Sequence, residues 1–256
     1  MITIDSKLTL VTGLHIGGAD DGMKIGGVDS PVMKREVFCD SNGIVGFNTS
    51  ARKSSEPYIA GSSLKGKIRT LLEHYFRLID PIHGGSVIDS KSNFGDKKYR
   101  NLIIKLFGES AGNDGIEGEI NITRVIFRDC FITDAIRKAS LNAKIELFEA
   151  KYENVIDRKT GTTIGGGLRQ IERVRSAVEF DFNMSIRVFY NDNEELFKNT
   201  IILGLKLLEL DALGGSGSRG YGRVRFDELK IDNKLIELNK SIKELDEKIK
   251  NELNKD

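Results

Sequence analysis

VEFDFNMSIRVFY, residues 178–190, alternates without a break: Val178, Phe180, Phe182, Met184, Ile186 and Val188 share one side. A period of two marks a β-strand with one buried face. C-terminal to it, NEELFKNTIILGLKLLELDALG has the length and apolar content of a helix, and GRVRFDELKI reads as a closing strand. N-terminal to it, KIELFEAKYENVI and EINITRVIFRDCFI each read as a strand. GSSLKGKIRTLLEHYFRLID places Leu64, Ile68, Leu71, Leu72, Tyr75, Phe76 and Ile79 at helical spacing, with Ser62 or Ser63 as the N-cap. YRNLIIKLFG is a short helix closed by Gly108. MITIDSKLTLVTG supplies a first strand, about Ile2 to Thr12.

Without the insertions the order is strand, helix, strand, strand, helix, strand, the split βαβ or ferredoxin-like arrangement. The expected class is α+β: an antiparallel sheet with two helices on one face and the other face free, as in RNA-recognition-motif folds. Residues of about 13–60 and about 134–176 are insertions, and FCDSNGIVGFNTSARKSSEP within the first reads as a mobile loop. Residues 1–230 are expected to form one domain. Residues 231–256, with Leu235, Leu238, Ile242, Leu245, Ile249 and Leu253 three or four apart, form an amphipathic C-terminal helix with little around it.

Composition narrows the function. A hydrophobic fraction of 39% in 256 residues permits a core and argues against bulk disorder. The net charge of +1 announces no nucleic-acid partner, so any such binding must come from local clusters. Cys39 and Cys130 lie far apart, which gives neither a disulfide framework nor zinc spacing and fits a reducing cytoplasm. No signal peptide or membrane-length apolar run is visible, so no membrane partner is expected.

Four stretches carry chemistry. GSSLKGKIR, Gly61 to Arg69, opens a helix with Lys65, Lys67 and Arg69; it suits phosphate, although a solvated basic face is the plain alternative. It lacks P-loop spacing. LGGSGSRGYGRVRF, residues 213–226, combines five glycines with Arg219, Arg223 and Arg225, and Tyr221 could stack on a base. Residues 154–176 form a long hairpin-like excursion whose Arg169, Arg173 and Arg175 could grip a backbone. GLHIGGADDGMKIGGVDSPVM, residues 13–33, holds His15, six glycines and Asp29. On spacing alone Asp29 is a turn residue; a lone carboxylate of ordinary pKa, about 3.9, becomes useful only by holding a cation or orienting a nucleophile. His74 and His83 are expected to be structural.

TGLHIGG, DSPV, GSSLKGKIRTLL, IDRKTG, RQIERV and LGGSGSRGYG occur in that order. Together they resemble the RAMP superfamily and, more closely, the repeated backbone subunit of type III-A CRISPR (Csm) effector complexes. The resemblance implies an RNA-recognition-like core with finger or lid and thumb insertions. It implies copies stacked head to tail along a CRISPR RNA beside other Csm subunits. Each copy would cut complementary target RNA with a divalent metal, Mg2+. It places the catalytic, metal-associated aspartate at Asp29. It places RNA contacts at His15, Lys65, Lys67, Arg69 and the Gly214, Gly215, Ser216, Gly217 and Arg219 loop, and it makes the long hairpin, with Arg169, the thumb. The competing reading is a non-catalytic RNA-binding structural subunit. Departures are Ala60 where the family usually has proline, a longer insertion at 36–57, and the C-terminal segment.

Overall fold

The computed structural model describes residues 1–18, 30–46, 52–82, 87–110, 112–113, 115–236, 238 and 241–255. Asp20, Asp21, Asp29 and His83 lie outside them. In chain order the elements are β1 (Ile2–Leu10), β2 (Lys34–Cys39), β3 (Arg52–Ile59), α1 (Gly61–Tyr75), α2 (Lys97–Phe107), β4 (Val125–Phe127) and β5 (Cys130–Ile132). There follow α3 (Asp134–Leu141), β6 (Phe148–Glu153), β7 (Arg169–Val174), β8 (Glu179–Ile186), α4 (Glu194–Leu210), β9 (Val224–Ile231), β10 (Lys234–Leu235) and α5 (Ile242–Leu253).

The main sheet runs β10-β9-β1-β8-β5-β3-β2, with β4 also on β8, and every pairing is antiparallel. Its centre, β9-β1-β8-β4/β5, has the strand order of the ferredoxin-like fold expected from the sequence. Alternation explains the register: Ile4 faces Met184 and Leu8 faces Phe180, and all four are fully buried in one core with Leu64, Ile68 and Leu72 of α1 and Ile201, Leu205 and Leu208 of α4. Gly108 closes α2 with φ of 81°.

EINITRVIFRDCFI forms two short strands, not the one expected. Phe127 faces Met184 but Phe131 faces Asp181, so four steps on one strand match three on the other. That is a bulge, and it frees Asp129. Its Oδ1 accepts the Gly61 N–H at 2.8 Å, so α1 is capped across the fold rather than by Ser62 or Ser63; the N-cap residue is Ala60.

The stretch expected to be a mobile loop contains much of the β2–β3 hairpin, in register from Lys34↔Pro57 to Cys39↔Arg52. Its polar sequence hides the reason: Glu56, 1% exposed, accepts from Arg35 and from Arg137 of α3, whose Nη1 also donates to Gly43 O. The tail is not isolated either. Leu245, Ile249 and Leu253 of α5 are buried in the common core against α4, while Leu235 belongs to β10.

The outer face of the central strands is a self-satisfied polar lattice. Lys7 pairs with Asp181, Asn183 donates to Asp5, and Thr9 and Arg225 both donate to Asp227. Phe180, Phe182 and Phe226 point inward. β9, β1 and β8 therefore offer no aromatic ring for base stacking, unlike an RNA-recognition motif.

Candidate nucleic-acid interface

β1 ends in a turn that runs straight onto the hairpin β6–β7. Leu14 exchanges backbone hydrogen bonds with Val174 at 2.8 and 2.9 Å. His15 then sits between two partners. Its Nδ1 donates to Glu172 O at 2.7 Å, and its Nε2 lies 3.3 Å from Ser30 Oγ. Ser30 is the first described residue after Asp29. Its carbonyl accepts from Glu172 N at 3.2 Å. The Glu172 carboxylate in turn accepts from Val32 N at 3.0 Å and Lys34 Nζ at 2.7 Å. Met33 N donates to Ile16 O, and Gly18 N to Pro31 O. Both ends of the 19–29 segment are thus pinned together at the root of β7. Glu172 is the residue sequence reasoning missed; its place within RQIERV was visible, its long-range partners were not.

The glycine-rich loop reaches the same place. Gly215 N donates to His15 O at 2.9 Å. Gly214 has φ of 75°, and a Cβ there would stand 2.3 Å from His15 O. Gly222 has φ of 71°, and its Cβ would lie 1.9 Å from Leu213 O. These two glycines serve close approach inside the chain. Gly217–Arg219 form a single 3-10 turn after Ser216, itself at φ of 58°. Arg219 pairs with Glu153 at 2.8 Å, yet its side chain stays 56% exposed.

Tyr221 is buried, contrary to the expectation that it stacks on a base. Its hydroxyl donates to Glu153 at 3.0 Å, and Lys151 sits 4.2 Å over its ring. Burial pushes the Glu153 carboxyl up, but the Tyr221 hydroxyl and the Arg219 guanidinium outweigh it and hold the group below the usual carboxylate range. Glu153 stays ionised and ties the hairpin to the loop.

The hairpin arginines divide. Arg173 pairs with Glu149, and Arg175 with Glu146 and Phe148 O. Arg169 is exposed and has no ion pair among the described residues. The tip beyond them exposes Tyr152, Val155, Ile156, Ile164 and Leu168, an apolar surface on an otherwise polar excursion.

α1 divides too. Arg69 turns inward: Nε bonds Glu73, Nη1 bonds Gly108 O and Nη2 bonds Ile88 O, at 2.6, 2.7 and 2.8 Å. Its donors hold the fold, so it does not share an outward phosphate face with Lys65. Lys67 pairs with Asp211 at the end of α4. Lys65 is half-buried and has no ion pair among the described residues; burial, then the nearby Arg69, lower its pKa.

Among the described residues, no three His, Cys, Asp or Glu side chains are placed to hold a metal. Both nitrogens of His15 and both oxygens of Glu172 are engaged. A cation here has no protein cage among these residues.

A sheet with ferredoxin-like order, a hairpin and a glycine-rich loop joined at one histidine defines a class. The RAMP superfamily profile matches residues 7–225, and the chain belongs to that superfamily. It is similar to several proteins named CRISPR system Cms endoribonuclease Csm3. The Streptococcus thermophilus protein is 39% identical over 232 residues, covering 90% of this chain and 88% of the relative. That of Methanocaldococcus jannaschii is 36% identical, covering 90% and 80%. That of Mycobacterium tuberculosis is 34% identical, covering 92% and 93%. No helix among the described residues is long and apolar enough to cross a membrane.

Proposed function

We propose that this chain is the repeated backbone subunit of a type III-A CRISPR effector complex, and that it holds a CRISPR RNA and cuts complementary target RNA. The observation that carries this reading is the junction of His15, Ser30, Glu172 and Gly215, where the flanks of residues 19–29, the hairpin and the glycine-rich loop meet. The names of the relatives supply the chemistry, RNA cleavage. A subunit that carries any guide must grip phosphate and sugar and leave sequence to base pairing. Lys65, Arg169 and Arg219 suit that task, and Lys67 of α1 is assigned to it as well. A patch repeated head to tail makes a filament that does not close, so cuts recur at a fixed spacing.

In this reading β6–β7 is the thumb, and its apolar tip separates bases so that a 2′-hydroxyl comes into line with the neighbouring phosphate. Asp29, which precedes the Ser30 anchor in the sequence, would act on that phosphate. Mg2+ is the cation that suits a lone carboxylate, because it takes one or two carboxylates together with phosphate oxygens and water. When bound it supplies charge neutralisation; holding the RNA and splaying it fall to the chain.

The second reading is a structural subunit of the same kind of complex that binds RNA and cuts nothing. Purification from the native host, followed by addition of matched RNA, separates the two. We expect a small RNA and other Csm subunits to copurify, and evenly spaced products to appear with Mg2+ and vanish with EDTA. Copurification of RNA without cutting in Mg2+ supports the structural subunit instead.

A further inference from the structure

Between α2 and β4 the chain closes round a small cavity of about 200 Å3, whose polar lining includes Lys105, Glu109, Ser110, Asn113, Thr123 and Arg124. Glu109 follows the Gly108 that ends α2. Its Oε2 accepts from Ser90 N at 2.7 Å, while its Oε1 is buried and has no hydrogen-bond partner. A buried carboxylate oxygen left bare costs free energy, so a partner is called for. The two cations of the lining do not supply it. Lys105 pairs with Glu119 at 2.6 Å. Arg124 gives Nε and Nη2 to Asp192, and Nη1 to Ile120 O and Ile122 O. The remaining side chains offer neutral oxygens. Ser110 Oγ and Thr123 Oγ1 form no hydrogen bond among the described residues, and Asn113 donates its Nδ2 to Asp89 and keeps Oδ1 unbonded. One carboxylate oxygen with neutral oxygens, and no sulfur or imidazole, is the donor set of a hard cation. The cavity has room for such an ion together with waters.

We propose that Glu109 anchors a hard, partly hydrated metal cation in this cavity, where it fastens the segment between α2 and β4. Ca2+ suits the site best, because irregular loop oxygens match its flexible coordination better than the octahedron that Mg2+ demands. The test uses the full chain without RNA, stripped with EDTA, dialysed, and melted with Ca2+, Mg2+ or K+ at matched ionic strength. Wild type is expected to gain about 3–5 °C in Tm at Ca2+ about tenfold above its dissociation constant. Glu109→Gln keeps the side-chain shape and loses the charge. Its stripped Tm should equal or exceed that of stripped wild type, its Ca2+ gain should vanish, and calorimetric titration should count one Ca2+ site fewer. A carboxylate that only braces Ser90 gives no such cation-dependent difference. Thr123→Val keeps the charge, removes one neutral donor and should weaken Ca2+ binding about tenfold; it decides the matter if Glu109→Gln fails to fold, and an unchanged affinity there counts against the cavity. Equal Ca2+ responses from wild type and Glu109→Gln would overturn the proposal. So would a wild type that none of the three cations stabilises, which leaves water alone at Oε1.

Discussion

Arg69 and Lys65 sit four residues apart on one helix and have different fates. Arg69 is 11% exposed and spends its guanidinium on Glu73 and two loop carbonyls. Arg69→Ala leaves Glu73, 8% exposed, with its charge unpaired, and should cost about 3 kcal/mol. Thermal melting should show it as a drop of roughly 6–12 °C. Lys65→Ala should change stability by less than about 0.5 kcal/mol, yet lower the salt slope of RNA binding by about 0.7, one phosphate contact on a single strand. An Arg69→Ala variant with unchanged Tm and a shallower slope would return Arg69 to the RNA. The basic cluster was legible in the sequence, but its division was not. Ile88 and Gly108 enter α1's environment only through the fold. Tyr221 is the same case: an aromatic among glycines and arginines reads as a base platform, and Glu153, 68 residues away, claims it.

At the scale of elements, readability follows what holds each one. β8 and α4 were plain because apolar periodicity drives them into the core. The β2–β3 hairpin was not, because a buried carboxylate at Glu56 shared by Arg35 and Arg137 fixes it, and such pairs leave no period in the sequence. The β4–β5 bulge was hidden for a related reason: Asp129 is placed by the need to cap α1. α5 was legible as a helix but not as part of the core, since its apolar stripe does not say what it covers. Leu245 is fully buried there. Leu245→Ala should destabilise the protein by about 2–5 kcal/mol, measured by denaturant unfolding with a single transition. A loss below about 0.5 kcal/mol would mean that the helix adds little to the fold.

In the whole molecule, the sheet keeps no stacking face, and the hairpin and the glycine-rich loop meet at His15, just past the end of β1. His15, Ser30, Glu172 and Gly215 come from three of the four stretches, and a backbone atom takes part in three of the four hydrogen bonds among them. That explains why the motifs were legible one by one while their junction was not: main-chain contacts leave no residue signature. The arrangement ties the flanks of residues 19–29 to β7, so the proposal that most defines the molecule is that cutting is carried out from that segment. The direct measurement compares assembled complexes carrying wild-type chain or Asp29→Ala, incubated with matched target RNA and Mg2+, with product ends mapped and target binding measured in parallel. The account predicts evenly spaced products from wild type, none from Asp29→Ala, and equal target binding by both. Cutting at the same positions by the Asp29→Ala complex would contradict it.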